Sequence, residues 1–92
     1  MDIFNIIFKD YIFKIKYILK LNKLSFNKEP LNLKFLKEIQ VANILKSNNI
    51  KALKDLIKIN TIELIKFNLF KKNLYKYLIK KYKIKKVINK IG

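Results

Sequence analysis

The sequence predicts an all-α fold, a small bundle of four or five helices that ends in a long basic helix. Glycine and proline each occur once in the 92 residues, so the residues that most often interrupt helices are scarce. Hydrophobic residues make up 51% of the chain, more than disordered chains contain, and they recur with helical spacing. The length fits one domain, residues 1–92, with a thin core.

The first predicted helix covers residues 3–21, and Asp2 stands where an N-cap is expected. At 100° per residue, the polar residues fall on one narrow stripe: Asn5, Lys9, Lys16 and Lys20. Hydrophobic residues lie opposite: Phe4, Ile7, Phe8, Tyr11, Ile15 and Ile18. Because the polar stripe is narrow, we expect this helix to be covered over most of its circumference.

The rest of the chain divides at short polar segments. A loop is predicted at about residues 22–32, and a second helix at about 33–46, ended by Ser47-Asn48-Asn49. A short third helix at about 50–58 is predicted to bury four side chains, those of Ile50, Leu53, Leu56 and Ile57. The last helical region is predicted at about 62–91, and residues 80–83 mark a candidate break.

The charge is strongly positive, since 22 lysines face six acids for a net charge of +16. Self-repulsion of this kind opposes a compact monomer, and a polyanion that binds the folded form relieves it. We therefore expect marginal folding alone and a polyanionic partner. Nucleic acid is the commonest such partner, and an anionic membrane surface is the second.

All 22 cations are lysines, and the chain has no arginine. Bidentate arginines make most contacts that read base edges, so lysines alone point to phosphate contacts with little sequence reading. Equally, the abundance of Lys, Ile, Asn, Phe and Tyr is typical of a very A+T-rich gene. Such genes are common in organelles, mitochondria or plastids, and in reduced symbionts, where the protein would be cytoplasmic.

The C-terminal region carries the candidate RNA contacts. From residue 67 to residue 92 there are nine lysines and no acid. Lys72, Lys76, Lys80 and Lys83 recur at spacings of four, four and three, so they share a helix face; Lys90 rejoins that face, and Lys86 lies in the same acid-free segment. Hydrophobic residues project from the other side: Phe67, Phe70, Leu74, Tyr77, Leu78, Ile84 and Ile88.

This pattern predicts a helix with one face for a protein core and one for phosphates. The alternative is a solvated lysine face produced by composition alone. Three tyrosines are interleaved with the lysines, Tyr75, Tyr77 and Tyr82. They could stack on bases, or they could be core tyrosines at the edge of the protein interior.

Several function classes find no support in the sequence. There is no His and no Cys, and the six acids are scattered, so no nucleophile–base pair or metal-ligand set is evident. There is also no glycine-rich phosphate loop. We expect no enzyme activity, no cofactor and no small-molecule substrate. No apolar stretch reaches the length of a membrane span, and the N-terminus does not resemble a signal peptide.

Residues 38–42 (Glu-Ile-Gln-Val-Ala) resemble the start of the second helix in the bacterial-type small-subunit ribosomal protein fifteen family. Residues 74–78 (Leu-Tyr-Lys-Tyr-Leu) are similar to a later element of that family, and the terminal Ile-Gly also matches it. The resemblance implies a four-helix protein that docks on a junction of small-subunit ribosomal RNA beside neighbouring ribosomal proteins. It places Gln40, Lys71, Lys72 and Tyr77 at RNA-contacting positions.

The chain departs from that family at three places. The family's His/Asp/Ser cluster is missing, residues 34–37 replace its Gly-Ser-Pro-like lead, and Ser47-Asn48-Asn49 falls inside its continuous helix. Two other interpretations stay open. Residues 39–57 have the spacing of a DNA-binding helix-turn-helix. The first helix fits an interfacial helix, as in an accessory subunit of an organellar membrane complex.

Overall fold

The computed structural model describes residues 3–84, which are mostly helical with no β-strand in that range. Three α-helices are α1 (Ile3–Leu21), α2 (Ile39–Ser47) and α3 (Leu64–Tyr82). Two 3-10 helices lie between them, at Leu33–Phe35 and Leu53–Lys58. The all-α prediction is therefore confirmed for this part of the chain. The proposed N-cap at Asp2 lies outside the described residues.

The predicted bounds of α1 are correct, and the described chain covers only part of its circumference. The residues of α1 that are buried form a single face: Phe8, Tyr11, Ile12, Ile15, Ile18 and Leu19. Ile7, which was predicted to lie on that face, is exposed, as are Ile6, Phe13 and Tyr17 on the opposite side. Within the described residues, only one side of α1 is packed against the protein.

The segment that follows α1 has no α-helix before residue 39, which agrees with the predicted loop at 22–32. Lys23 adopts a left-handed conformation (φ 61°) and closes the end of α1. Further along, Pro30 and Ala52 form an isolated antiparallel bridge. Two backbone hydrogen bonds of 3.1 Å join the same two segments: Leu31 N donates to Lys51 O, and Leu53 N donates to Glu29 O.

The single helix predicted at 33–46 is wrong, because the chain forms two separate helical pieces there. The Asn32 side chain accepts a hydrogen bond from Lys34 N and caps the first 3-10 helix. The Glu38 side chain accepts from Gln40 N and caps α2. Between them Leu36 is extended and its side chain is buried. A continuous helix would lose both of these capping hydrogen bonds. The end of α2 at Ser47 agrees with the predicted stop.

The predicted third helix is a 3-10 helix that begins at Leu53. Asp55 Oδ2 accepts hydrogen bonds of 3.1 Å from the amides of Lys51 and Ala52. These bonds, the one from Lys51 first, lower the pKa of Asp55 below its ordinary value. Leu53 and Leu56 are buried as predicted, together with Ile50, but Ile57 is exposed. Periodicity assigned Ile57 to the core because it assumed α-helical spacing.

The α3 helix ends at Tyr82, and Lys83 follows in a left-handed conformation (φ 51°), which agrees with the candidate break at 80–83. The predicted core face is confirmed for the described residues Phe67, Phe70, Leu74, Tyr77, Leu78 and Ile84, all of which are buried. Ile88 and the remainder of the predicted helix to residue 91 lie outside the described residues.

One hydrophobic cluster joins all of these elements. Aromatic rings form its part between α1 and α3, where Tyr11 meets Phe67 and Phe70 edge-on at centroid distances of 5.6 and 6.2 Å. Apart from the tyrosines Tyr11 and Tyr77, no residue with a polar or charged side chain is buried among residues 3–84. The burial of α3 on one side fixes which of its lysines face outward.

Candidate nucleic-acid interface

The outward face of α3 carries the first component of the interface. Lys72, Lys76 and Lys80 are exposed and lie opposite the buried face of the helix. We call these three residues the lysine row. Among residues 3–84, the ion pairs involve Lys14, Lys58 and Lys66, and none involves the lysine row. Its three charges are therefore not neutralised within the described part of the chain.

Lys83 was predicted to share this helix face, but it lies outside the helix: α3 ends at Tyr82, and Lys83 follows, exposed, in the left-handed conformation. Lys71 lies about 100° from Lys72 around the helix and points elsewhere. It is half-buried, with its Nζ 4.9 Å from the centroid of the Phe67 ring. Near it, a small cavity of about 140 Å³ is lined in part by Asp10 and Lys14. Lys71 is thus separate from the lysine row.

Tyr77 is buried, with only 4% of its surface exposed, so its ring has no free face for a base. Its hydroxyl accepts hydrogen bonds from Asn32 N (3.0 Å) and Lys81 Nζ (3.1 Å). The ammonium of Lys81 also lies 5.5 Å from the Tyr77 ring centroid and 5.3 Å from that of Tyr82. This lysine is held in place by two tyrosines, unlike the lysines of the row.

A groove of about 390 Å³ lies between the first 3-10 helix and α3. It is bordered by five lysines and four other residues, none of them acidic: Lys34, Phe35, Leu36, Lys37, Asn73, Lys76, Tyr77, Lys80 and Lys81. Two members of the lysine row therefore belong to the groove as well as to the outer face of α3. We call this feature the basic groove.

Sequence reasoning missed six of the nine residues that line the basic groove: Lys34, Phe35, Leu36, Lys37, Asn73 and Lys81. The first four were assigned to a regular helix, in which they would not face α3 together. The sequence did contain one indication of a binding site here, because a large aromatic side chain, Phe35, lies between Lys34 and Lys37. Only the break at Leu36 brings that segment against α3, and the break depends on the two caps described above.

The other two tyrosines of α3 pack against the core and are half-buried. Burial, with a smaller contribution from Asp10, raises the pKa of Tyr75 to about 12. Burial also raises the pKa of Tyr82, and Glu29 adds to the effect. The placement of Tyr75 and Tyr82 fits the interpretation as tyrosines at the edge of the core.

The remaining predicted contacts lie apart from the groove or beyond the described residues. Gln40 is exposed in the first turn of α2 and is not among the residues that line the groove. Lys86 and Lys90 lie outside the described residues. The motif at 38–42 begins α2, and the motif at 74–78 lies within α3.

No protein-family model, curated protein or solved structure matches this chain. Within residues 3–84, no helix combines the length and apolar character needed to cross a membrane.

Proposed function

We propose that the protein binds RNA through its phosphate groups, as a small structural component of a ribonucleoprotein. The lysine row carries this proposal. Its three ammonium groups recur once per turn, about 6 Å apart along the helix axis. Like charges at this spacing repel each other and destabilise an isolated helix. The phosphates of a nucleic-acid backbone would neutralise these charges.

The ribosome is the ribonucleoprotein that we propose, in an organelle or a reduced symbiont. Three features support it: the net charge of +16, the A+T-rich composition and the resemblance at residues 38–42. In this proposal α3 and the acid-free residues after it form a long basic element that faces ribosomal RNA. Neighbouring ribosomal proteins would cover the hydrophobic residues that α1 exposes.

The test compares two sets of three exposed lysines changed to glutamine, which keeps helix propensity. One variant carries K72Q, K76Q and K80Q, and its matched control carries K9Q, K16Q and K20Q on α1. Each variant removes three positive charges. The slope of log affinity against log salt should become shallower by about 0.9 for each phosphate that the variant no longer neutralises. We expect this change in the lysine-row variant alone, measured by fluorescence anisotropy with a structured RNA.

An equal decrease of affinity in both variants would mean that only the total charge matters and that the lysine row does not contact the RNA. A wild-type affinity that does not change between about 50 and 200 mM salt would contradict phosphate binding itself.

The exposed residues of α1 favour a second candidate, an accessory subunit at an anionic membrane surface. Ile6, Phe13 and Tyr17 lie opposite the buried face of α1, and Lys9 and Lys16 flank them. Interfacial helices combine apolar and lysine-rich faces in this way. Flotation with anionic and neutral vesicles tests this function. Binding to anionic vesicles that F13S abolishes would support it, and no flotation at low salt would exclude it.

A further inference from the structure

We propose that the basic groove binds one unstacked nucleotide from a single-stranded segment or loop of RNA. This inference rests on the proposed RNA binding and specifies the structural class of the RNA. Phe35 would stack on the base, and the surrounding lysines with the Tyr77 hydroxyl would hold the adjoining phosphate.

Phe35 supplies a flat apolar surface that the protein itself does not use. Its side chain is 63% exposed, and none of the ring–ring and cation–π pairs among residues 3–84 includes it. The backbone that carries it is held in place, because the Asn32 side chain caps the 3-10 helix and Leu36 N donates to Leu33 O at 3.1 Å. Stacking on such aromatic side chains is how proteins hold unpaired bases.

The phosphate position follows from the Tyr77 hydroxyl. This oxygen already accepts hydrogen bonds from Asn32 N and Lys81 Nζ, so both of its lone pairs are in use. Its own hydrogen is left to donate, and a phosphate oxygen is a strong acceptor. Lys81 stands beside it, and no acid lines the groove to compete for these donors.

The size of the groove suits a single nucleotide. About 390 Å³ is within the range of small-molecule sites and far smaller than a duplex. Bases in a duplex are stacked on each other, so Phe35 can only reach a base that has left the stack. A lipid headgroup would offer phosphate without a planar face for the ring, so the exposed Phe35 favours a nucleotide.

The absence of tryptophan from the chain allows a direct test. F35W places one fluorescent ring in the groove, and a stacked base should quench it. F13W is the matched control, because Phe13 is 68% exposed and, with Lys9 and Lys16 beside it, lies in a second groove on α1. A short oligouridine should quench F35W and leave F13W unchanged, and a blunt RNA duplex should quench neither.

Affinity provides the second measurement. F35L keeps an apolar side chain but removes the aromatic face, and it should weaken binding to a hairpin with an unpaired loop about tenfold. Affinity for the blunt duplex should stay unchanged. Circular dichroism of each variant verifies that the fold is retained, as expected for an exposed position.

The outcomes separate the two proposals. If F35L binds loop and duplex RNA as the wild type does, or if oligouridine quenches F35W and F13W equally, the groove inference is wrong while phosphate binding by the lysine row stands. If wild-type protein binds neither RNA, the proposed function fails as well. A response of F35W to anionic vesicles, with none to oligouridine, would also overturn the nucleotide assignment.

Discussion

The Tyr77 hydroxyl joins two parts of the chain that are 45 residues apart. It is the acceptor for the backbone amide of Asn32, which follows the loop, and for the ammonium of Lys81 on its own helix. The sequence predicted that Tyr77 lies on the core face of its helix. It could not predict this bond, because the position of Asn32 depends on the bridge between Pro30 and Ala52.

We expect Y77F to lower the free energy of unfolding by about 1–2 kcal/mol, because the Asn32 amide would be left without its acceptor in a partly buried place. Urea denaturation measures this change. Y17F removes a hydroxyl from the exposed Tyr17 and should have no effect. Equal stability of Y77F and Y17F would show that water replaces the Tyr77 hydroxyl.

Because Tyr75 has a raised pKa, we expect the free energy of unfolding to decrease at alkaline pH. Its ordinary pKa is 10.0, and burial raises the pKa in the folded protein to about 12. Below pH 10 the phenol is protonated in both states. Between pH 10 and pH 12 the unfolded chain releases this proton and the folded protein retains it, so the free energy of unfolding decreases as the pH rises.

Urea denaturation at a series of pH values tests this prediction. The decline above pH 10 should be shallower in Y75F than in the wild type, and because both proteins contain the same lysines, lysine titration cancels in the comparison. Parallel pH profiles for the two proteins would assign the decline to other groups.

Each of the three α-helices in the described chain is followed by a residue other than glycine that has a positive φ angle. Lys23, Asn49 and Lys83 follow the three α-helices and have positive φ angles of 61°, 56° and 51°. Glycine is the usual residue there, because a Cβ atom costs roughly 1–2 kcal/mol in that conformation. The sequence indicated the stops near residues 47–49 and 80–83, since Asn tolerates this conformation and the hydrophobic pattern changes at both places.

At the end of α3, K83G should raise the free energy of unfolding by about 1 kcal/mol, because glycine adopts the left-handed conformation without strain. K83A removes the same charge and keeps the Cβ atom, so it is the matched control and should not stabilise. The difference between the two midpoints of thermal unfolding isolates the backbone contribution. Equal stabilisation by both would mean that removal of charge is responsible.

The elements could be predicted where the hydrophobic period is regular and long, as in α1 and α3. The prediction failed at residues 33–38. There the side chains of Asn32 and Glu38 cap two separate helical pieces, although the hydrophobic pattern fits one continuous helix. Spacing alone predicted the lysine row, although it also placed Lys83 on the same helix face. Six of the nine residues of the basic groove were not predicted, and Lys34, Phe35 and Lys37 among them reach α3 only through that break.

At the scale of the whole molecule, the burial of apolar side chains stabilises the fold and the repulsion between positive charges destabilises it. The core draws its residues from every element, while the net charge of +16 repels the chain from itself. We expect the protein to be marginally stable at low salt and to gain stability when a polyanion binds its folded form.

Circular dichroism at low salt measures this balance. The midpoint of thermal unfolding should rise on addition of RNA or of a simple polyanion such as heparin, and it should rise less in the K72Q, K76Q and K80Q variant. A cooperative transition at high temperature that polyanions do not shift would show that the core alone is sufficient.

The apolar core of residues 3–84 also affects how the sequence can change over time. Apart from Tyr77, no buried side chain there makes a hydrogen bond that would require one particular residue type. Cores of this kind accept exchanges among Ile, Leu, Val and Phe when the total volume is kept. A drift in codon usage can therefore replace most core residues while the fold is kept. Identity should be retained instead at the polar positions that set geometry: Asn32, Glu38, Asp55 and Tyr77.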